Sequence, residues 1–264
     1  MGLIKLHFAD RSFFLDDLNG TDLVAQQMQQ GFYEAPLPML TMAIIARAPG
    51  LFLDVGANSG LYSILAGITT AEAKIVAFEP YPTVLKILTH NVQANGLDDR
   101  IDIRPIALSD SAGVAILYLP DQQHGLLETS CSLEAGFRPL YQTIEVQKDR
   151  LDNIALPDRI SLIKVDIEGH ELAFLEGARE TIARDRPVAF VEILPASPDK
   201  LYGLTTFIQQ MGYMDFCLRK EVAIYAENVA HDPFAWNHAF VPRDRLPLFE
   251  KACSVHHVRL VRSW

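Results

Sequence analysis

Two short stretches of this chain hold residues whose types and spacing could do chemistry. The first is Leu51 to Gly60, LFLDVGANSG. An apolar run too short for a helix leads into the small-residue turn Gly56-Ala57-Asn58-Ser59-Gly60. Leu61, Ile64, Leu65 and Ile68 follow at helical spacing, so the stretch reads as strand, tight turn, helix. Such a turn gathers backbone N–H groups and a helix N-terminus at one spot, which suits a polar or anionic ligand group. Glycine there keeps a side chain from holding the ligand off the backbone. The second stretch is Lys164 to Glu171, KVDIEGHE. Two-residue spacing at a strand end sends Asp166, Glu168 and His170 toward one side, where a carboxylate or an imidazole could take a proton from a substrate hydroxyl. The alternative is structural: Asp166 bonding the turn, Glu168 and Glu171 as first-turn helix acids, and His170 on the surface.

The elements that must position these residues follow from hydrophobic patterning. Lys74 to Phe78 reads as a second buried strand, ending at Glu79-Pro80. A carboxylate at that place can accept hydrogen bonds from both hydroxyls of a ribose. Pro82 starts a helix that Asn95-Gly96 stops. Ile101 to Ile106 is a third strand. Val114 to Leu119 and Thr143 to Val146 form an antiparallel insertion, and Asp121 to Leu140 is a long polar loop between them, a place for substrate selection. Ile160 to Val165 and Pro187 to Ile193 are buried strands, Glu171 to Ala183 a helix between them, and Ser197-Pro198 opens another. Glu192 ends its strand beside the second stretch. The remainder, Tyr213 to Leu218, Val222 to Tyr225 and Ala235 to Val241, is β-rich. Ahead of the core, Thr21 or Asp22 caps a helix that Gly31 stops, and Pro36 to Ala48 is a second helix. Strands alternating with amphipathic helices imply a parallel sheet with right-handed crossovers. The fold class is therefore α/β: a doubly wound, Rossmann-like sheet, mostly parallel with an antiparallel C-terminal strand, plus N-terminal helices and a β insertion. One structural domain is expected, with residues 1–48 as an N-terminal arm and helices packed on a core of residues 49–264.

DVGANSG, AFEP, ALSD, RLDNI, KVDIEGHE and VEI occur in that order, and together they resemble the FkbM family of S-adenosylmethionine-dependent methyltransferases. The resemblance runs from about Gly31, with a weak start at Phe32-Tyr33-Glu34, to Val241. It implies a seven-stranded class I methyltransferase fold whose last strand is antiparallel. It also implies that Asp54, Gly56, Ala57, Asn58 and Gly60 surround the methionine end of the cofactor and that Glu79 binds its ribose. Ala107 and Leu108, with Ser109 and Asp110, are implied at the adenine. Asp166, Glu168 and His170 are then the expected catalytic residues, and an O-methyl preference is inherited from the family.

Composition narrows the partners. A formal net charge of −10 argues against non-specific nucleic-acid binding, which needs basic patches to displace counterions. Arg243, Arg245, Lys251, Arg259 and Arg262 are expected on a solvated C-terminal segment. The 3 cysteines are too widely spaced for a disulfide framework or a zinc site, and His124, His231, His238, His256 and His257 show no metal-ligand spacing. The longest apolar span, Pro36 to Ala46, is too short to cross a bilayer, and nothing at the N-terminus reads as a signal sequence. A cytoplasmic protein with no membrane partner is expected. Asp166, Glu168 and another acid would suit Mg²⁺, but no ligand count is fixed and no metal is predicted. The acceptor expected is a hydroxyl on a small molecule such as a sugar or polyketide. Two other readings remain: an NAD-linked oxidoreductase, against which Asn58 in place of a middle glycine counts, and a cofactor-binding scaffold without catalysis.

Overall fold

Leu51–Val55 is buried at every position, as befits a strand covered by helices on both faces. In the computed structural model, which describes residues 2–18, 22–31, 33–120, 131–135 and 140–262, it lies inside a nine-stranded sheet. The chain opens with an antiparallel hairpin, β1 (Leu3–Phe8) and β2 (Arg11–Asp16). The helices α1 (Leu23–Gln30) and α2 (Leu37–Arg47) precede β3 (Leu51–Val55). The Asp22 side chain accepts from the Ala25 N–H at 3.1 Å, a cap that contributes about 1 kcal/mol. Gly31 ends α1 at φ 74°.

The core continues as α3 (Leu61–Thr69), β4 (Lys74–Phe78), α4 (Pro82–Ala94) and β5 (Ile101–Arg104). A separate three-stranded sheet follows, made of β6 (Ala107–Leu108), β7 (Gly113–Pro120) and β8 (Leu140–Asp149). The chain returns to the core through β9 (Ile160–Val165), α5 (Glu171–Gly177), α6 (Arg179–Asp185) and β10 (Val188–Glu192). It finishes with α7 (Pro198–Gln210), β11 (Tyr213–Arg219), β12 (Val222–Ala226), β13 (Asn237–Pro242), α8 (Leu246–Val255) and β14 (Arg259–Arg262).

The strand order is β14-β12-β11-β13-β10-β9-β3-β4-β5. The strands β10, β9, β3, β4 and β5 are mutually parallel. The antiparallel strand expected near the C-terminus is β13, slotted between β10 and β11, while β12 and β14 extend the sheet beyond seven strands. Leu37, Ile44, Leu65, Leu88 and Phe249 cover one face, and Phe174, Leu175, Ile182 and Phe207 cover the other. Alternation along β9 puts Leu162 on the first face and Ile163 on the second, so Lys164 and Asp166 emerge on the side of Leu162.

One expectation needs correcting. The helix predicted over Glu171 to Ala183 is broken at Ala178. Arg243, Lys251 and Arg259 are exposed as expected, while α8 buries Phe249, Ala252 and Cys253 fully. Removing a buried phenylalanine of this kind costs about 3–5 kcal/mol.

Candidate active site

The predicted stretches meet at the C-terminal ends of β3, β4 and β9. The turn after β3 passes through three left-handed residues, Gly56 (φ 76°), Asn58 (φ 53°) and Gly60 (φ 91°). Four of its amides are bonded within the protein. The Gly56 and Ala57 N–H groups both donate to the Phe78 carbonyl at 3.0 Å, and Gly60 N–H donates to the Ala57 carbonyl at 2.9 Å. Asn58 N–H donates to Glu79 Oε2 at 3.0 Å. The end of β4 thus takes three of the backbone donors expected for a ligand, those of Gly56, Ala57 and Asn58.

The glycines also serve the protein's own packing. A Cβ on Gly56 would stand 1.9 Å from the Asp166 carbonyl oxygen, and one on Gly60 would stand 2.5 Å from Leu88 Cδ1. Gly56 thus lets the ends of β3 and β9 touch backbone to backbone. Gly177 does the same for another predicted segment, since a Cβ there would lie 1.8 Å from the Ser109 carbonyl oxygen.

Glu79 is held at both oxygens: Oε2 by Asn58 N–H and Oε1 by Tyr81 N–H at 2.8 Å. Burial raises its pKa to about 7, against the pull of those two donors. Its carboxylate is fixed in place and 7% exposed, at the wall of a cleft that encloses about 650 Å³ with its solvent mouth included. That volume lies within the range of small-molecule sites. Of the residues expected at a cofactor, Gly56, Asn58, Glu79, Ala107 and Leu108 line the cleft, and so do Asp166, Glu168 and His170. Apolar walls come from Phe78, Ile106, Leu108, Leu117 and Leu133.

The other predicted residues stand behind this lining. Asp54 is fully buried and its Oδ2 accepts from Ser63 N–H at 2.9 Å and Ser63 Oγ at 2.7 Å, fixing the first turn of α3. Ala57 packs in the core. Ser109 Oγ is 2.9 Å from His170 Nε2, and Asp110 is bonded by the Ser109 and Ser111 hydroxyls. His170 has its second nitrogen, Nδ1, 2.7 Å from Glu134 Oε1, so both ring nitrogens are engaged by the protein. The hydrogen bond to His170 is the main reason Glu134 stays below the usual carboxylate range. Of the Asp121 to Leu140 loop only 131–135 and Leu140 are described; Thr21, Phe32 and His124 also lie outside the described residues.

A charged centre that sequence reasoning missed adjoins Asp166. Lys164, though buried, extends Nζ to Asp166 Oδ2 at 2.8 Å and over the Tyr62 ring at 4.8 Å. Burial disfavours its ammonium, but Asp166, Glu34 and Asp54 outweigh burial and raise its pKa. Glu34, at φ 43°, accepts from the Tyr62 hydroxyl. Its pKa is raised, chiefly by burial. Glu192, at the end of β10, is pushed far above the carboxylate range by burial and then by Asp166 and Glu168. Alternation along β9 signalled Lys164; nothing local signalled that Glu34 would arrive there.

Residues 54–214 match the methyltransferase FkbM domain. The chain belongs to that family. Among proteins similar to this FkbM-family chain is methyltransferase sdnD of Sordaria araneosa, 30% identical over 166 residues. That match covers 52% of this chain and 64% of sdnD, so it leaves about a third of the relative unmatched. A crystal structure of an FkbM methyltransferase from Methylobacillus flagellatus superposes with a TM-score of 0.49 at 19% identity, over 73% of this chain and 43% of that one. An O-methyltransferase from Bacillus cereus in complex with SAH gives 0.45 at 12%, over 78% and 81%. Among the described residues no helix is long and apolar enough to cross a membrane.

Proposed function

We propose that this chain transfers a methyl group from S-adenosylmethionine to a hydroxyl of a small molecule. The observation that carries this reading is the use of the turn amides. A dinucleotide needs free N–H groups at the strand–helix turn for its pyrophosphate. Here the Gly56, Ala57 and Asn58 amides are bonded to Phe78 and Glu79. What the turn presents instead is an oriented carboxylate, the group that suits a ribose diol on a ligand without phosphate. This disfavours the oxidoreductase alternative.

The residues present fit such a donor. Glu79 would accept from the ribose hydroxyls, and the apolar walls at Phe78, Ile106, Leu108 and Leu117 would enclose its adenine. When bound, the cofactor supplies an electrophilic methyl on a positively charged sulfur. Its transfer is an in-line displacement, so alignment supplies several kcal/mol of the acceleration. Asp166 and Glu168 line the same cleft, where negative charge would favour the sulfonium and could accept the hydroxyl proton. His170, with both ring nitrogens engaged by Ser109 and Glu134, would then orient the far wall of the cleft.

Isothermal titration with S-adenosylmethionine tests the reading, with one equivalent expected to bind. Absence of binding by folded protein defeats it. Asp166→Asn and Glu168→Gln should retain the titration while losing methyl transfer to a panel of sugar and polyketide alcohols, with the products' O-methyl signals read by NMR. Transfer undiminished in both variants would remove these two carboxylates from the chemistry.

A further inference from the structure

Three carboxylates from distant parts of the chain converge beside the cleft. Glu34 arrives from the turn between α1 and α2, Asp166 from the end of β9 and Glu192 from the end of β10. One oxygen from each lies within 4.8 Å of the other two. A second, independent feature sets this group apart from an ordinary acidic patch. Glu192 is 8% exposed, and its Oε2 is buried with no hydrogen-bond donor. Lys164 already serves Asp166 directly and Glu34 and Asp54 at longer range. Its single positive charge therefore answers more than one carboxylate before Glu192 is reached.

We propose that Glu34, Asp166 and Glu192 form a binding site for a hard divalent cation of the Mg²⁺, Mn²⁺ or Ca²⁺ type. The donor set is oxygen only, which selects that class over zinc or copper. The spacing agrees: metal–oxygen distances of about 2.0–2.6 Å set ligand oxygens roughly 3–5 Å apart. The set differs from the one the sequence suggested, because Glu168 is outside it and Glu34 and Glu192 are within. Asp166 belongs both to this site and to the lining of the cleft. An ion there would stand where an acceptor oxygen approaches, and metal coordination makes a hydroxyl easier to deprotonate. That role rests on the methyl-transfer reading, whereas the binding itself does not.

The test is titration of the purified full-length chain with MnCl₂, following free Mn²⁺ by electron paramagnetic resonance, with MgCl₂ and CaCl₂ as competitors. One Mn²⁺ is expected to bind per chain. Glu192→Gln and Glu34→Gln should each weaken it at least about tenfold, as expected when ligand charge is removed. Glu145→Gln, on the remote β insertion, should leave it unchanged. Circular dichroism checks that each variant is folded, and Glu192→Asp, which keeps the charge but shortens the reach, replaces Glu192→Gln if that variant unfolds. No Mn²⁺ bound by folded wild type overturns the proposal, as does binding that neither Glu34→Gln nor Glu192→Gln reduces. S-adenosylmethionine titration of the same preparation separates the two readings. Donor bound without cation removes only this inference; cation bound without donor removes the methyl-transfer reading and leaves this site.

Discussion

The two ends of the cleft are held by different physics. At the Glu79 end the contacts are short-range in space and local in pattern. One turn and the strand beside it exchange backbone hydrogen bonds, and a carboxylate is clamped by two amides. At the Asp166 end, charges from Glu34, Lys164, Asp166 and Glu192 are gathered from three separate elements, and the geometry depends on their balance. At the first end the Gly56, Ala57 and Asn58 amides and both Glu79 oxygens are paired within the protein. The second holds like charges together, an arrangement that favours bound protons or cations. In the proposed function, donor binding rests on the first end and chemistry on the second, so each can be disturbed alone.

The strongest disturbance of the charged end is Lys164→Met. Leaving Asp166 and Glu34 without their buried cation is expected to cost about 3–5 kcal/mol, read as a drop in the urea midpoint. A smaller loss would show that the carboxylates neutralise themselves. The matching disturbance of the turn end is Gly56→Ala. Its new Cβ collides with the Asp166 carbonyl at 1.9 Å and its φ is unfavourable, together about 3 kcal/mol. Because this residue joins the two ends, donor and Mn²⁺ binding should fall together; if only one falls, the ends are less connected than the backbone contact implies.

Glu79 offers a pH test specific to its own end. Its folded pKa of about 7 lies above an unfolded value near 4.3. Between those values the folded state holds more protons than the unfolded one, so this residue's contribution to stability falls as pH rises from about 4.5 to 7 and then levels off. The span is on the order of 3 kcal/mol, and Glu79→Gln should flatten that part of the stability profile. Donor affinity should run the opposite way, weakening as pH drops below about 7, because a protonated carboxyl accepts fewer hydrogen bonds. Calorimetry from pH 5.5 to 8.5 measures it, and a flat profile would remove Glu79 from the donor site. The smallest effect is expected for Asp22→Ala. Loss of the α1 cap should cost about 1 kcal/mol by thermal denaturation and loosen Glu34, weakening Mn²⁺ without changing donor affinity.

The same contrast explains what could be read in the chain. The strands, the Asp22 and Ser197 caps and the strands of the β insertion follow from patterns within a few residues of one another. The purpose of the glycines did not, because the atoms a Cβ would strike belong to Asp166 and Leu88, far along the sequence. Nor did the partners of Lys164. A buried lysine in an apolar strand is visible as an anomaly, but its counter-charges at Glu34 and Asp54 are set by tertiary packing. The Ser109–His170–Glu134 bridge is hidden for the same reason. Asp54 is the reverse case: it stands in a legible motif, yet the structure uses it to fix Ser63 and α3.

The position of β13 has a consequence for how the molecule comes into being. As the ribosome releases the chain, β10 emerges with β9 ready beside it, but its other edge must wait for Asn237–Pro242. Until then β10 and β11 are open edges, each a template for unwanted pairing. The segment matched to the family, residues 54–214, ends before that closing strand. Expressed alone it would leave the strand carrying Glu192 unflanked on one side. The strand that carries Glu192 is therefore flanked on both sides only once β13 has entered the middle of the sheet.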